Sequence, residues 1–279
     1  MTGYRQWTDA DAATLIAVPG TNADKYSRGV LGVVAGSKLY PGAAVLGVEA
    51  AIRTGVGMVR YLGAAAELVL QRRPEAVTVP GRVQAWLLGS GIDSSDRDQA
   101  TTDQLLAAIA EGLPTVIDSG ALDLVSRATG PTVITPHFRE LAGVLGADAG
   151  EVAADPGLWC ARASERLGVT VLLKGTRTRI AGPGDFRLVT GPATGWLASA
   201  GTGDVLGGVL GALLATHSDA VQEHPELLPG LAASAAHIHA AAAELASAGG
   251  PLAALDVAGA LPEVVAHLLR TYPSARDGR

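Results

Sequence analysis

The sequence holds one cysteine, Cys160, two methionines and two phenylalanines. A single cysteine excludes an intramolecular disulfide and any multi-cysteine zinc site; Cys160 reads as a small buried residue. Cationic side chains are in the minority, 21 Lys and Arg against 27 Asp and Glu, for a formal charge of −6. This argues against a broad basic surface for nucleic acid, which needs clustered Lys and Arg. No apolar run approaches the roughly 20 residues of a membrane span. The most apolar stretch, Val205 to Ala215, carries three glycines, and the Ala-rich run Leu231 to Ala246 contains His237, His239 and Glu244. Both read as buried helices. The segment Met1 to Asp9 has no basic region followed by an apolar one, so no secretory leader is expected. The expectation is a cytoplasmic protein with neither nucleic acid nor membrane as partner. Several motifs are missing too. There is no Gly-x-x-x-x-Gly-Lys-Ser/Thr phosphate loop, no Gly-x-Gly-x-x-Gly at the first strand, and no Gly-x-Ser-x-Gly elbow. His237 and His239 lie two apart, face different sides of a helix and read as structural, so no metal constellation is expected.

What is present is a rhythm. Thr8 and Asp11 form a capping-box pattern opening a short helix to Ile16. Short apolar runs then alternate with helical stretches. Strands are expected at Val30–Val34, Gly57–Leu62, Ala85–Leu88, Thr115–Ile117, Thr132–Ile134 and Thr170–Leu173. A hairpin is expected around Gly182-Pro183-Gly184-Asp185, its strands at Arg179–Ala181 and Phe186–Thr190. Helices are expected at Ala43–Thr54, Asp103–Glu111, up to Leu145, and at Gly203–Thr216, Leu231–Ser247 and Leu261–Thr271. The stretch His217 to Gly230 reads as an acidic surface loop. Alternating strands and helices imply a mostly parallel sheet covered on both faces. At 279 residues either one large α/β domain or two smaller ones is allowed. No linker divides the chain, so residues 1–279 are read as a single domain.

In open α/β sheets, ligands sit at the carboxyl ends of the strands. The unusual residues collect there: Gly36-Ser37, Gly89-Ser90-Gly91, Asp118, His137 and Lys174-Gly175. Any one of these could be ordinary turn chemistry; the set is harder to dismiss. The strongest segment is Ala200-Gly201-Thr202-Gly203-Asp204, a glycine turn feeding an apolar helix. Backbone N–H groups at such a start are unpaired and form an anion hole suited to a transferring phosphoryl group. A carboxylate beside them, Asp204, can take the proton of a substrate hydroxyl as it attacks phosphorus. The plainer reading is an acidic residue complementing a helix dipole, worth about 0.3–1 kcal/mol. The double glycine and the following Gly207-Gly208 favour the functional one. Asp118 reads as a structural or supporting carboxylate.

These residues resemble a known family. Gly201-Thr202-Gly203-Asp204 is similar to the anion-hole motif of the ribokinase-like superfamily. The chain more specifically resembles the ADP-dependent NAD(P)H-hydrate dehydratases. The strings that carry this are Leu31 to Ser37, Tyr40-Pro41-Gly42-Ala43-Ala44, Ala50 to Gly57, Leu88 to Gly91, Val116 to Leu122, Thr135-Pro136-His137 with Glu140, and Leu173-Lys174-Gly175. The Gly-x-Gly-Asp motif is superfamily-wide, whereas Thr-Pro-His-x-x-Glu points to the dehydratase branch. The resemblance implies a ribokinase-like three-layer α/β/α fold with a mostly parallel central sheet. It further implies that ADP and (S)-NADHX or (S)-NADPHX give AMP, phosphate and NADH or NADPH. By the same carry-over, Asp204 is the catalytic carboxylate, and Ala43, Gly91 and His137 contact the hydrate. Lys174, Gly175, Thr176, Arg177, Thr178 and Gly203 hold the nucleotide. Mg2+ is expected with ADP, no ligand being assigned to it, and a homo-oligomer is expected, a tetramer among the options. The sequence departs from the family at Phe138-Arg139, where Pro-Gly is usual, at Gly89 to Asp93, poorer in glycine, and at Arg177, where a small residue is usual. The epimerase domain often fused to this family is not expected within this sequence. A small-molecule kinase of the same superfamily, acting on a vitamin or sugar alcohol, uses the same aspartate and remains the alternative, with a non-catalytic nucleotide-binding protein behind it.

Overall fold

The computed structural model describes residues 3–273. Nine strands form one sheet: β1 (Arg5–Gln6), β2 (Val30–Val34), β3 (Met58–Tyr61), β4 (Ala85–Leu88), β5 (Thr115–Ile117), β6 (Thr132–Ile134), β7 (Thr170–Leu173), β8 (Arg179–Ala181) and β9 (Arg187–Val189). Their order is β1-β9-β8-β7-β6-β5-β4-β2-β3. Only β8 runs against the others, paired antiparallel to β7 and β9. The helices are α1 (Asp9–Thr14), α2 (Pro41–Thr54), α3 (Ala66–Arg72), α4 (Gln99–Ala110), α5 (Phe138–Leu145), α6 (Ala149–Ala154), α7 (Pro156–Leu167), α8 (Thr202–Thr216), α9 (Ser218–Glu223), α10 (Leu228–Ser247) and α11 (Ala254–Thr271).

The period-two geometry of strands sorts the core into two slabs. Leu31, Val33, Leu87, Val116, Val133 and Leu172 face a layer built from α1, α2, α8, α10 and α11. Val30, Val34, Leu88, Ile117, Ile134 and Val171 face the opposite layer, from α4, α5, α6 and α7. Strands covered on both sides have no polar face, which is why β2, β4 and, after Thr170, β7 read as apolar runs and are wholly buried. Between α2 and α8 the backbones approach closely: a Cβ on Gly208 would collide with the Gly47 carbonyl and the Ala50 methyl. On the far side of α2 the buried Glu49 carboxylate pairs with Arg53, Arg72 and Arg73, tying α2 to α3. Burial alone would raise its pKa, but the three guanidinium groups hold it down at about 2.

The strands fall where the apolar runs place them, and the Thr8–Asp11 capping box forms. Helices start earlier than their apolar periodicity suggests, α4 at Gln99 after an Asp98 cap and α11 at Ala254, with Pro262 inside it. The stretch His217 to Gly230 is corrected: it is not a surface loop. It forms α9, a 3-10 turn at Pro225–Leu227 and the first turn of α10. Val221 and Leu228 reach the core, which pulls His217 and Ser218 inside with them. No described helix is long and apolar enough to cross a membrane.

Candidate active site

The carboxyl ends of β4, β5, β6 and β7 bring four polar side chains into one hydrogen-bonded group. The Asp118 carboxylate, buried after β5, accepts from Ser90 Oγ at 2.9 Å, Thr135 Oγ1 at 2.7 Å and Lys174 Nζ at 3.1 Å. Lys174 Nζ also lies 3.8 Å from Glu140 Oε2. Burial works to discharge the ammonium, but the carboxylates of Asp118 and Glu140 outweigh it and raise the pKa of Lys174. The lysine therefore stays charged. It stands beside the first turn of α8, with Nζ 3.6 Å from where a Cβ on Gly203 would project.

That first turn is built by glycine. Gly201 caps α8 with φ at +87°, in the left-handed region, and a side chain there would strike Leu46. The turn leaves the N–H groups of Gly203 and Asp204 without backbone partners among the described residues. Asp204 is half-buried and, among the described residues, its carboxylate makes no hydrogen bond or ion pair. Burial, and after it the Asp118 charge, push its pKa up to about 6, while Lys174 pulls the other way. A carboxylate poised there exchanges a proton near neutrality, as a general base must.

Two cavities meet at this turn. One, of about 290 Å³, is lined by Lys174, Gly175, Thr176 and Thr178, by the apolar Leu197, Leu206 and Ala236, and by Thr202 and Gly203. The second, of about 700 Å³, is lined by Tyr40, Ala43, Leu46 and Gly91 together with Gly201 and Asp204. No residue lines both. Ala43 and Gly91 thus come together with Asp204, while Lys174, Gly175, Thr176, Thr178 and Gly203 come together next door.

His137 and Arg177 line neither cavity. His137 is exposed and caps α5: its Nδ1 accepts from the N–H groups of Arg139 and Glu140 at 3.2 and 3.1 Å. Glu140 returns the bond through the His137 N–H at 2.7 Å. The Thr-Pro-His-x-x-Glu string is therefore a capping box, and the same Glu140 carboxylate faces Lys174. Arg177 turns outward, bonded to the Gly191 carbonyl at 3.2 Å. Sequence reasoning placed Asp118 and Glu140 only at the margin of the site; their signal was position, at a strand end and in a helix first turn. It also treated His237 and His239 alike. His237 bonds Asp9 across helices at 2.7 Å, whereas His239 lines the smaller cavity.

A family model described as NAD(P)H-hydrate dehydratase matches residues 31–262. The chain belongs to that family. It is 43% identical over 218 residues to the bifunctional NAD(P)H-hydrate repair enzyme Nnr of Mycobacterium tuberculosis, a match covering 74% of this chain and 45% of the relative. The chain spans about half the length of such bifunctional relatives. The crystal structure of the ADP/ATP-dependent NAD(P)H-hydrate dehydratase of Bacillus subtilis, co-crystallized with ATP/Mg2+, superposes with a TM-score of 0.82 at 26% identity, over 95% of this chain and 99% of that one. A ribokinase-like superfamily protein of Enterococcus faecalis, 22% identical with a TM-score of 0.82 over 96% of this chain and 97% of that one, shares the fold. The mostly parallel, two-sided sheet is the one the alternating apolar runs imply, and its ribokinase-like α/β architecture is the one the resemblance implies.

Proposed function

We propose that this family member dehydrates (S)-NADHX or (S)-NADPHX at the expense of ADP, releasing AMP and phosphate. The observation that carries the reading is the first turn of α8 standing as a common wall: Thr202 and Gly203 face the smaller cavity, Gly201 and Asp204 the larger. Group transfer between two bound molecules needs this arrangement, because donor and acceptor must approach the same anion hole from opposite sides. In the proposal ADP occupies the smaller cavity. Its phosphates lie over Lys174, Gly175, Thr176, Thr178 and the free N–H groups of α8, and its nucleoside lies toward Leu197 and Leu206. The hydrated nicotinamide enters the larger cavity past Tyr40, Ala43 and Gly91.

Asp204 takes the proton of the ring hydroxyl as its oxygen bonds to the β-phosphorus of ADP and the bond to the bridging oxygen breaks, giving AMP. The phosphorylated hydroxyl is a good leaving group; its departure as phosphate with loss of a ring proton restores the dihydropyridine. Lys174, held charged by Asp118 and Glu140, offsets the charge gathering on the transferring group. His137 and Arg177 stand outside both linings, so in this proposal they act only at the rims. A vitamin or sugar-alcohol kinase would use the same aspartate; the family match and the size of the larger cavity favour the hydrate.

Among the described residues no cluster of three or more metal-ligating side chains occurs. Mg2+ keeps several waters and takes one or two carboxylates plus phosphate oxygens. The residues thus fit an ion carried in on the diphosphate and held by phosphate oxygens and water, since Asp118 is already engaged and Asp204 is kept for the proton. When bound, it would neutralise phosphate charge. A homo-oligomer and a cytoplasmic setting belong to the same reading.

The test is Asp204→Asn. ADP affinity should stay within about tenfold of the parent. NADH recovery from the hydrate, followed by absorbance, should fall by at least the roughly 10²–10⁴ lost with a general base. Near-normal turnover would reject the assignment, and ATP turnover on an alcohol with no NADH recovery would select the kinase.

A further inference from the structure

A third cavity, of about 270 Å³, adjoins the larger one: Leu39, Ile92 and Asp93 line both, while Asp204 lines only the larger. The fold explains why an opening lies there. β2 and β4 are neighbours in the sheet, yet α2, which follows β2, packs on one face and α4, which follows β4, packs on the other. The chain thus leaves two adjacent parallel strands toward opposite faces. Such a parting opens a crevice beyond the carboxyl ends of the strands, the usual seat of a ligand in open α/β sheets. The third cavity occupies this crevice, lined by Val34 and Gly36 after the end of β2 and by Asp98 and Thr101 at the start of α4.

The proposed reaction uses one end of a dinucleotide. Only the hydrated ring has to meet Asp204; the second nucleotide of the hydrate needs a place continuous with the first and separate from ADP. The third cavity is continuous with the larger one and shares no lining residue with the smaller. Its charges decide which second nucleotide it suits. Of its two cations, Arg97 is already committed: its guanidinium donates to both oxygens of Asp123 at 3.0 and 2.8 Å and to Thr102 Oγ1 at 3.0 Å. That leaves the exposed Lys38 against the exposed carboxylates of Asp93, Asp96 and Asp98. Carboxylates accept hydrogen bonds from ribose hydroxyls, which is how dinucleotide sites take the unphosphorylated ribose, and they repel a phosphate ester of about −1.5 to −2 charge.

We infer that the third cavity seats the adenosine half of the hydrate and, through Asp93, Asp96 and Asp98, favours (S)-NADHX over (S)-NADPHX. This rests on the proposed reaction and on the larger cavity as the seat of the hydrated ring. The two hydrates then meet the same aspartate and the same anion hole, and the choice between them is made away from Asp204, at the ribose that carries or lacks the 2′-phosphate.

Steady-state kcat/KM of the full chain with saturating ADP tests this on three substrates: (S)-NADHX, (S)-NADPHX and the hydrate of reduced nicotinamide mononucleotide, which lacks the adenosine half. The mononucleotide hydrate should be poorer than (S)-NADHX by on the order of tenfold or more, because the binding energy of the missing half is lost. At low ionic strength (S)-NADHX should be preferred to (S)-NADPHX by roughly five- to tenfold. That preference should shrink in high salt, which screens exposed charges, and it should fall toward one or invert in Asp96→Lys. A mononucleotide hydrate as good as (S)-NADHX overturns the seat. Equal use of the two dinucleotide hydrates by the parent, or a preference for (S)-NADPHX, overturns the selection without any variant. A preference indifferent to both salt and Asp96→Lys overturns it too, since shape and not charge would then make the choice. If no hydrate is turned over with ADP, the reaction itself falls and the seat with it; turnover of (S)-NADHX without loss on the mononucleotide removes the seat alone.

Discussion

At the scale of single residues, the site is an electrostatic chain in which each charge sets the next. Asp118 holds Lys174 charged and, through space, opposes ionisation of Asp204, while Lys174 favours it. If Asp204 must be ionised to act, turnover should fall about tenfold per pH unit below about 6. Asp118→Asn removes a like charge, so the acidic limb should move to lower pH; Lys174→Met removes a cation, so it should move to higher pH. Limbs that do not move, or move the other way, in rate–pH profiles would show that another group sets them. The same shift bears on stability. A carboxyl whose folded pKa is raised favours folding only while protonated, and that contribution is lost as pH rises through about 6. Asp204→Asn should therefore stabilise the fold at pH 8, by about 1–2 kcal/mol after allowing for partial exposure to water, while turnover falls as proposed above. Asp204 itself was legible because a glycine turn before an apolar helix is a rare string. Glu140 was not, because its capping bond to the His137 N–H says nothing of the lysine on its other side.

At the scale of elements, the sequence announces what repeats and hides what is paid for elsewhere in the chain. The buried strands are apolar runs between glycines, and they can be read directly. α7 cannot be read that way: only Cys160, Ala163 and Ser164 of its twelve residues are buried, so its apolar stripe is too thin to declare a helix. β1 is two residues long and exists only because β9 lies beside it. The 3-10 stretch Ser119–Arg127 lacks an α-helical period to detect. The α2–α8 contact, by contrast, is written in small residues. Gly208→Ala should cost about 1–3 kcal/mol by overpacking against Gly47 and Ala50. Gly259→Ala, in the exposed middle of α11 with open space around its Cβ, should instead stabilise by roughly 0.5–1 kcal/mol. Denaturant midpoints of the two variants check both signs.

At the scale of the whole molecule, the sheet gathers at one edge what the chain keeps far apart, from Ala43 to His239. Separations of this size are invisible to local pattern; only the rule that ligands meet the carboxyl ends of parallel strands made the gathering foreseeable. That rule placed the residues at one end of the sheet but could not divide them between chambers, nor foretell that His137 and Arg177 line neither of them.

The partition itself has a kinetic signature. Because the two chambers touch through one turn and have no lining residue in common, both guests of the proposed reaction can be seated at once, and nothing need be parked on the protein between visits. Initial rates measured over a grid of both reactant concentrations should give intersecting double-reciprocal lines. Parallel lines would mean that the first product departs before the second reactant arrives, and a helix turn with a guest on each side would then have no purpose.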